Sequence, residues 1–192
     1  SKSRFEREDS RGDQSGRIAV SWKKLGLPGD RPPLAAGAIA FILGAGIAAS
    51  AGAGDDYPDV VCTDLDSLWV YLGNGQGGLQ SPQQYYIADA VEPWAVAIGD
   101  LTGDGYPEIV SVNRFGPHMS FFTNLGTGTG EFHSIPRILG TPERPYDVDL
   151  GDLNGDASLD IVVTCNYDPG DVVIFFNDGA GGFLDQASLS PA

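Results

Sequence analysis

Positive charge is nearly missing from most of this 192-residue chain: beyond Arg31 there are three basic residues (Arg114, Arg137 and Arg144) against twenty-one acidic ones. A body so acidic repels phosphate backbones, which excludes nucleic acid as a partner and suits hard cations or a well-solvated surface. Histidine occurs twice and cysteine twice, as Cys62 and Cys165, with no C-x-x-C pair and no zinc-type spacing. Zinc and copper chemistry therefore lack their usual ligands. Both cysteines lie in apolar, strand-like runs, where buried free thiols are expected and one disulfide is the alternative. No nucleophile-elbow pattern is present, and no glycine loop is followed by the Lys of a phosphate loop. Helical periodicity is absent after residue 55.

The N-terminal third differs in character. Residues 1–33 are polar, basic and proline-broken, and are expected to form a disordered tail. The triplet Arg11-Gly12-Asp13 within it is treated as coincidence. Residues 34–54, "LAAGAIAFILGAGIAASAGAG", carry no charge. The segment is long enough for a membrane-spanning helix, and Lys23, Lys24 and Arg31 on its N-terminal side would leave the acidic body outside. A signal sequence and a first β-strand are the competing readings.

What is abundant is repetition. "GIAASAGAGDDYPDVVCTD" from Gly46, "AVAIGDLTGDGYPEIVSVN" from Ala95 and "DVDLGDLNGDASLDIVVTCN" from Asp147 share one pattern. Each is followed by an aromatic-rich run ("LWVYLGNG", "MSFFTNLG", "VVIFFNDG"), a glycine turn and an apolar exit. Three units result: a degenerate repeat over 46–94, a second over 95–146 and a third over 147–192. Each reads as four short strands, the second strand so continuously apolar and β-branched that both of its faces must be covered. The expected fold is all-β, a partial β-propeller of about three four-stranded blades. Three blades do not close a ring. The chain is therefore expected to join further blades or to self-associate.

The loop after each first strand carries the chemistry. In the third unit Asp152, Asn154, Asp156 and Asp160 stand at positions 1, 3, 5 and 9, and the Ser158 carbonyl falls at position 7. Calcium takes six to eight hard oxygens at about 2.3–2.6 Å, and this set supplies most of them. The second unit offers Asp100, Thr102, Asp104, the Tyr106 carbonyl and Glu108. In the first unit Ala51 and Ala53 replace positions 1 and 3, so Asp55 and Asp59 would make a weak or lost site. One Asp-Gly loop reads equally as a hairpin turn. Two copies in one register, between matching strands, favour cation binding.

These residues resemble the FG-GAP-like or VCBS repeat family, whose motif is a strand, D-x-[ND]-G-D-G-x-x-D, an apolar strand, an aromatic strand ending in Asn, and a G-x-G-x-F turn. "GDLTGDGYPEIVSVN…FFTNLGTGTGEF" and "GDLNGDASLDIVVTCN…VIFFNDGAGGF" carry the match, which covers about residues 46–192. The resemblance implies calcium-loaded propeller blades in secreted or surface proteins, as in integrin α-chain heads, some lectins and some polysaccharide lyases. It assigns calcium to Asp100, Thr102, Asp104, Tyr106 and Glu108, and to Asp152, Asn154, Asp156, Ser158 and Asp160. Thr102, Glu108, Ala157 in place of Gly, and the stripped first unit depart from the pattern.

A non-catalytic extracellular module that binds a protein or glycan is the expected function. The alternative is a piece of a secreted polysaccharide-degrading lyase or hydrolase. Trp94 and Tyr146 occupy matching positions before the first strands of their units, and Trp69 lies in a third strand. Such rings either pack blade against blade or stack on sugars.

Overall fold

The computed structural model describes residues 40–42, 59–64, 66–87, 92–166 and 171–189. Of the expectations above, the tail over 1–33, most of 34–54 and Asp55 lie outside these residues. Twelve strands follow in chain order: β1 (Ala40–Ile42), β2 (Val60–Thr63), β3 (Ser67–Tyr71), β4 (Gln83–Tyr86), β5 (Pro93–Gly99), β6 (Glu108–Asn113), β7 (His118–Phe122), β8 (Arg137–Gly140), β9 (Pro145–Gly151), β10 (Asp160–Cys165), β11 (Asp171–Asn177) and β12 (Phe183–Leu189). They form three four-stranded antiparallel sheets, β1–β4, β5–β8 and β9–β12, each an up-and-down meander. The described residues contain no helix. The molecule is a partial β-propeller of three blades.

The blades reflect sequence pattern directly. Every residue of β6, "EIVSVN", is buried, because one face turns to the first blade and the other to the third. Ile109 packs with Val61, Leu68, Val70 and Phe122 at the seam of the first and second blades. Its neighbours Val110 and Val112 pack with Met119, Phe121, Ile161, Val163 and Phe175 at the seam of the second and third. Strand alternation sends successive side chains to these two cores. Trp94 meets Tyr146 across the second seam at 5.7 Å between centroids, so this aromatic pair does pack blade on blade. Trp69 packs on a smaller cluster of Val60, Cys62 and Tyr71.

The first blade reaches further back than the repeat pattern indicates. β1 pairs Ala40 with Cys62, Phe41 with Val61 and Ile42 with Val60. The unit therefore begins before Gly46. Three residues of the uncharged segment are thus a strand. No helix among the described residues is long and apolar enough to cross a membrane.

Both cysteines are buried free thiols. Burial pushes Cys62 up to about 12, with Asp64 adding to the effect, and Cys165 up to about 11, with Asp171 adding.

Candidate functional site: two acidic loops and the staple beneath them

Each blade's first strand ends in the loop singled out by sequence, and the second and third loops fold alike. Asp100 accepts hydrogen bonds from the backbone N–H groups of Gly103 (2.7 Å) and Gly105 (2.9 Å). Asp152 does the same for Gly155 (2.7 Å) and Ala157 (3.0 Å). At position 5, Asp104 accepts from Tyr106 N and Asp156 from Ser158 N, both at 2.8 Å. In the third loop Asn154 also accepts from Asp156 N (3.0 Å) and donates its side-chain amide to Asp156 (2.8 Å). Accepted hydrogen bonds from Ser158 N and then from Asn154 hold the Asp156 carboxyl below its ordinary value.

Glycine takes the left-handed backbone at the equivalent sixth position of the second loop (Gly105, φ 85°), and Ala157 takes it in the third (φ 71°). An L-residue with a Cβ is strained there. Ala157→Gly should raise stability by about 1 kcal/mol, read from urea denaturation midpoints. An unchanged or lowered midpoint would contradict the strain assignment.

The position 9 acids sit deeper than the rest of the loop. Glu108 and Asp160 are fully buried. Glu108 accepts from Leu101 N (2.8 Å), Thr102 N (3.1 Å) and Asn124 N (3.4 Å). Asp160 accepts from Leu153 N (2.9 Å) and Asn177 N (2.9 Å). Asp59, equally buried, accepts from Gly73 N at 2.7 Å, and Gly73 occupies the repeat position of Asn124 and Asn177. In all three blades this carboxylate ties the start of the second strand to the end of the third. It persists in the first blade, where positions 1 and 3 are alanine.

The asparagines that end the third strands complete the scaffold. Asn177 donates to the carbonyls of Leu101 (2.9 Å) and Leu159 (3.0 Å), while its own oxygen accepts from Gly179 and Gly181 (both 3.2 Å). It therefore joins the third blade's glycine hairpin to the second blade's acidic loop. Gly103 sits against that hairpin so closely that a Cβ would lie 2.8 Å from the Gly179 carbonyl oxygen. Asn124 donates to Pro107 O at 3.2 Å within its own blade. In the sequence these asparagines stand out only as the end of an aromatic run.

Burial raises the Glu108 pKa against the pull of its backbone donors, and Asp104 and Asp100 add to the rise. Its folded value thus lies above its unfolded one. The folded state holds the extra proton, so the Glu108 contribution is greatest at low pH and is lost as pH rises from the ordinary carboxylate range through the raised value. The urea midpoint of wild type should fall relative to that of Glu108→Gln as pH rises across that window. Parallel profiles would refute the assignment.

Calcium binding needs hard oxygen donors that converge on one point. Side-chain oxygens at positions 1, 3 and 5 are all hard donors, and Thr102 Oγ1 is buried without a hydrogen-bond partner, an oxygen left over in the second loop. Asp104, Asp152, Asn154 and Asp156 are exposed, Asp100 partly so. Among the described residues no three His, Cys, Asp or Glu side chains form a ready metal cluster. The donor types at positions 1, 3 and 5 suit a hard cation, with the Tyr106 and Ser158 carbonyls in sequence reach; the acids at positions 1 and 9 alike accept backbone N–H groups, and those at position 9 are the buried ones.

A model of the FG-GAP-like repeat matches residues 53–111 and 107–163, together more than half of the chain. Among solved structures, an Agrocybe aegerita lectin described for specific recognition of non-reducing terminal N-acetylglucosamine is similar at a TM-score of 0.55 and 21% identity, over 80% of this chain and 38% of the lectin. This chain thus spans under two-fifths of that relative, and the likeness concerns fold. A Photorhabdus luminescens Tc holotoxin pore structure aligns over 70% of this chain and 6% of its own at 23% identity and a TM-score of 0.40. No curated protein matches.

Proposed function

The chain belongs to the FG-GAP-like repeat family, and on that premise we propose that it is a non-catalytic, extracellular binding module whose acidic loops are fixed by calcium. The observation that carries this reading is the pair of loops at Asp100 and Asp152, which fold alike and present carboxylate, amide and hydroxyl oxygens on one end of adjacent blades. Asp100, Thr102, Asp104 and the Tyr106 carbonyl would hold one ion; Asp152, Asn154, Asp156 and the Ser158 carbonyl would hold the other. Bound calcium would neutralise carboxylates that otherwise repel one another and would lock each loop's curvature. Because Asn177 and Gly181 brace the Leu101–Gly103 segment, order in the second loop would pass to the seam with the third blade.

The blades then serve as a rigid platform for a glycan or protein ligand. An immobilised glycan and protein panel probed in calcium and in chelator tests this. Saturable, calcium-dependent capture without product release supports a binding module. Shortening or unsaturation of an acidic polysaccharide would instead favour a piece of a polysaccharide-degrading enzyme. No capture and no turnover would refute both.

A further inference from the structure

At the end of the blades opposite the acidic loops, where β5 and β9 begin, lie two of the acidic body's three arginines. Arg114, in the β6–β7 turn, places its guanidinium carbon 4.2 Å from the centre of the Trp94 ring and 5.2 Å from that of Phe115. Trp94 in turn packs on Tyr146 across the seam. Tyr146 is 36% exposed and Phe115 53%. Arg144 is exposed two residues before Tyr146.

Among the described residues the Arg114 side chain has no ion-pair or hydrogen-bond partner, in a body rich in acids. Glu92, Glu143 and Asp147 are the acidic neighbours of these residues along the chain. The guanidinium instead lies over aromatic rings, and its N–H donors have no partner among the described residues. The Trp94 indole Nε1 beside it is buried and also lacks a partner. Both groups can only donate. Among the described residues neither is matched with an acceptor, and a planar carboxylate matches a guanidinium fork with two parallel hydrogen bonds.

The backbone is set up to hold this arrangement. Glu92 and Arg144 both adopt φ of 56°, uncommon for residues other than glycine, and each precedes a proline that opens a first strand. The Glu92 carbonyl accepts from Arg114 N (2.9 Å), and the Arg144 carbonyl from Asn166 N (2.8 Å). These bonds fix the heights of Trp94 and Tyr146 and tie the Arg114 turn to the strand that bears Trp94.

We propose that Trp94, Arg114, Phe115 and Tyr146 form a saccharide site that takes a carboxylate-bearing sugar across the seam of the second and third blades. Arg114 grips the carboxylate, and the exposed Tyr146 and Phe115 rings cover the apolar C–H face of the pyranose. Exposed flat rings beside a single held guanidinium suit a sugar unit better than an acidic peptide, which would want a row of cations. This site deepens the binding-module reading and rests on it.

The test titrates the full chain with tetragalacturonate, with its methyl ester, and with a tetraglutamate peptide, by calorimetry. Tetragalacturonate should bind saturably, and the ester and the peptide each about tenfold more weakly or worse. Arg114→Gln should weaken tetragalacturonate about tenfold with a melting temperature near wild type, Tyr146→Ala should weaken it by a similar factor while also lowering the melting temperature through lost seam packing, and Arg114→Lys should recover only part of the Arg114→Gln loss. Equal binding of acid and ester, equal binding of the peptide, no effect of Arg114→Gln, or no tetragalacturonate binding would overturn the site. If the chain captures another glycan or a protein in the panel experiment and these variants capture it equally well, the binding-module reading stands and this site falls. If nothing is captured in either experiment, both fall.

Discussion

Replacing Asp160 with alanine should destabilise the fold by about 3–5 kcal/mol, measured by urea denaturation. The carboxylate is fully buried and accepts from Leu153 N and Asn177 N, both at 2.9 Å. Hydrogen bonds to a charged acceptor contribute about 1.5–3 kcal/mol each, and its removal strands two donors where water does not reach. Asp152 provides the contrast. It too accepts two backbone N–H groups, but in an exposed loop where water replaces it. Asp152→Ala should therefore cost less than about 1.5 kcal/mol. If the two variants lose equal stability, the buried staple is not what holds the blade.

Phe121→Ala should cost about 3–5 kcal/mol, and Phe121→Leu less than half of that. Phe121 is 2% exposed at the seam of the second and third blades. Its ring lies 5.8 Å from Phe183 in an edge-on arrangement, and Arg137 stacks over it at 4.6 Å while donating to the Gly181 carbonyl at 2.6 Å. Truncation would open a cavity lined by groups from both blades and would release the Arg137 clasp. Because each blade has only its neighbours to pack on, the seam has no other core to fall back on. A loss under about 1.5 kcal/mol in denaturant would mean that the blades adhere by other contacts.

The β6 run "EIVSVN" was legible as a strand covered on both faces, since continuous apolar character has few other causes in a short segment. The repeat offsets also gave the matching places of Trp94 and Tyr146, which meet across a seam. Other features were hidden because they depend on distant partners. Asp160 stood out as a carboxylate in a cation-like pattern, but its second donor belongs to residue 177, at the end of another strand. Arg114 belongs to no repeated motif and reaches Trp94 only because the β6–β7 turn folds back beside β5. A first strand within 34–54 was one of the readings open in the sequence; Gly46 onward copies the other units in letters, while Ala40–Ile42 pairs with the second strand.

The proposed cation role of the acidic loops is tested most directly by melting the full chain in millimolar calcium and in chelator. Extracellular-type sites bind at about 10⁻⁴–10⁻³ M. At ten times the dissociation constant one site adds about 1.4 kcal/mol, roughly 3–6 °C for a chain of this size. Asp156 is exposed and its hydrogen bonds stay within its own loop, so Asp156→Ala should narrow the gap between the two curves while leaving the chelator curve close to wild type. Separated wild-type curves that draw together in the variant are the predicted result; superimposed wild-type curves would contradict it.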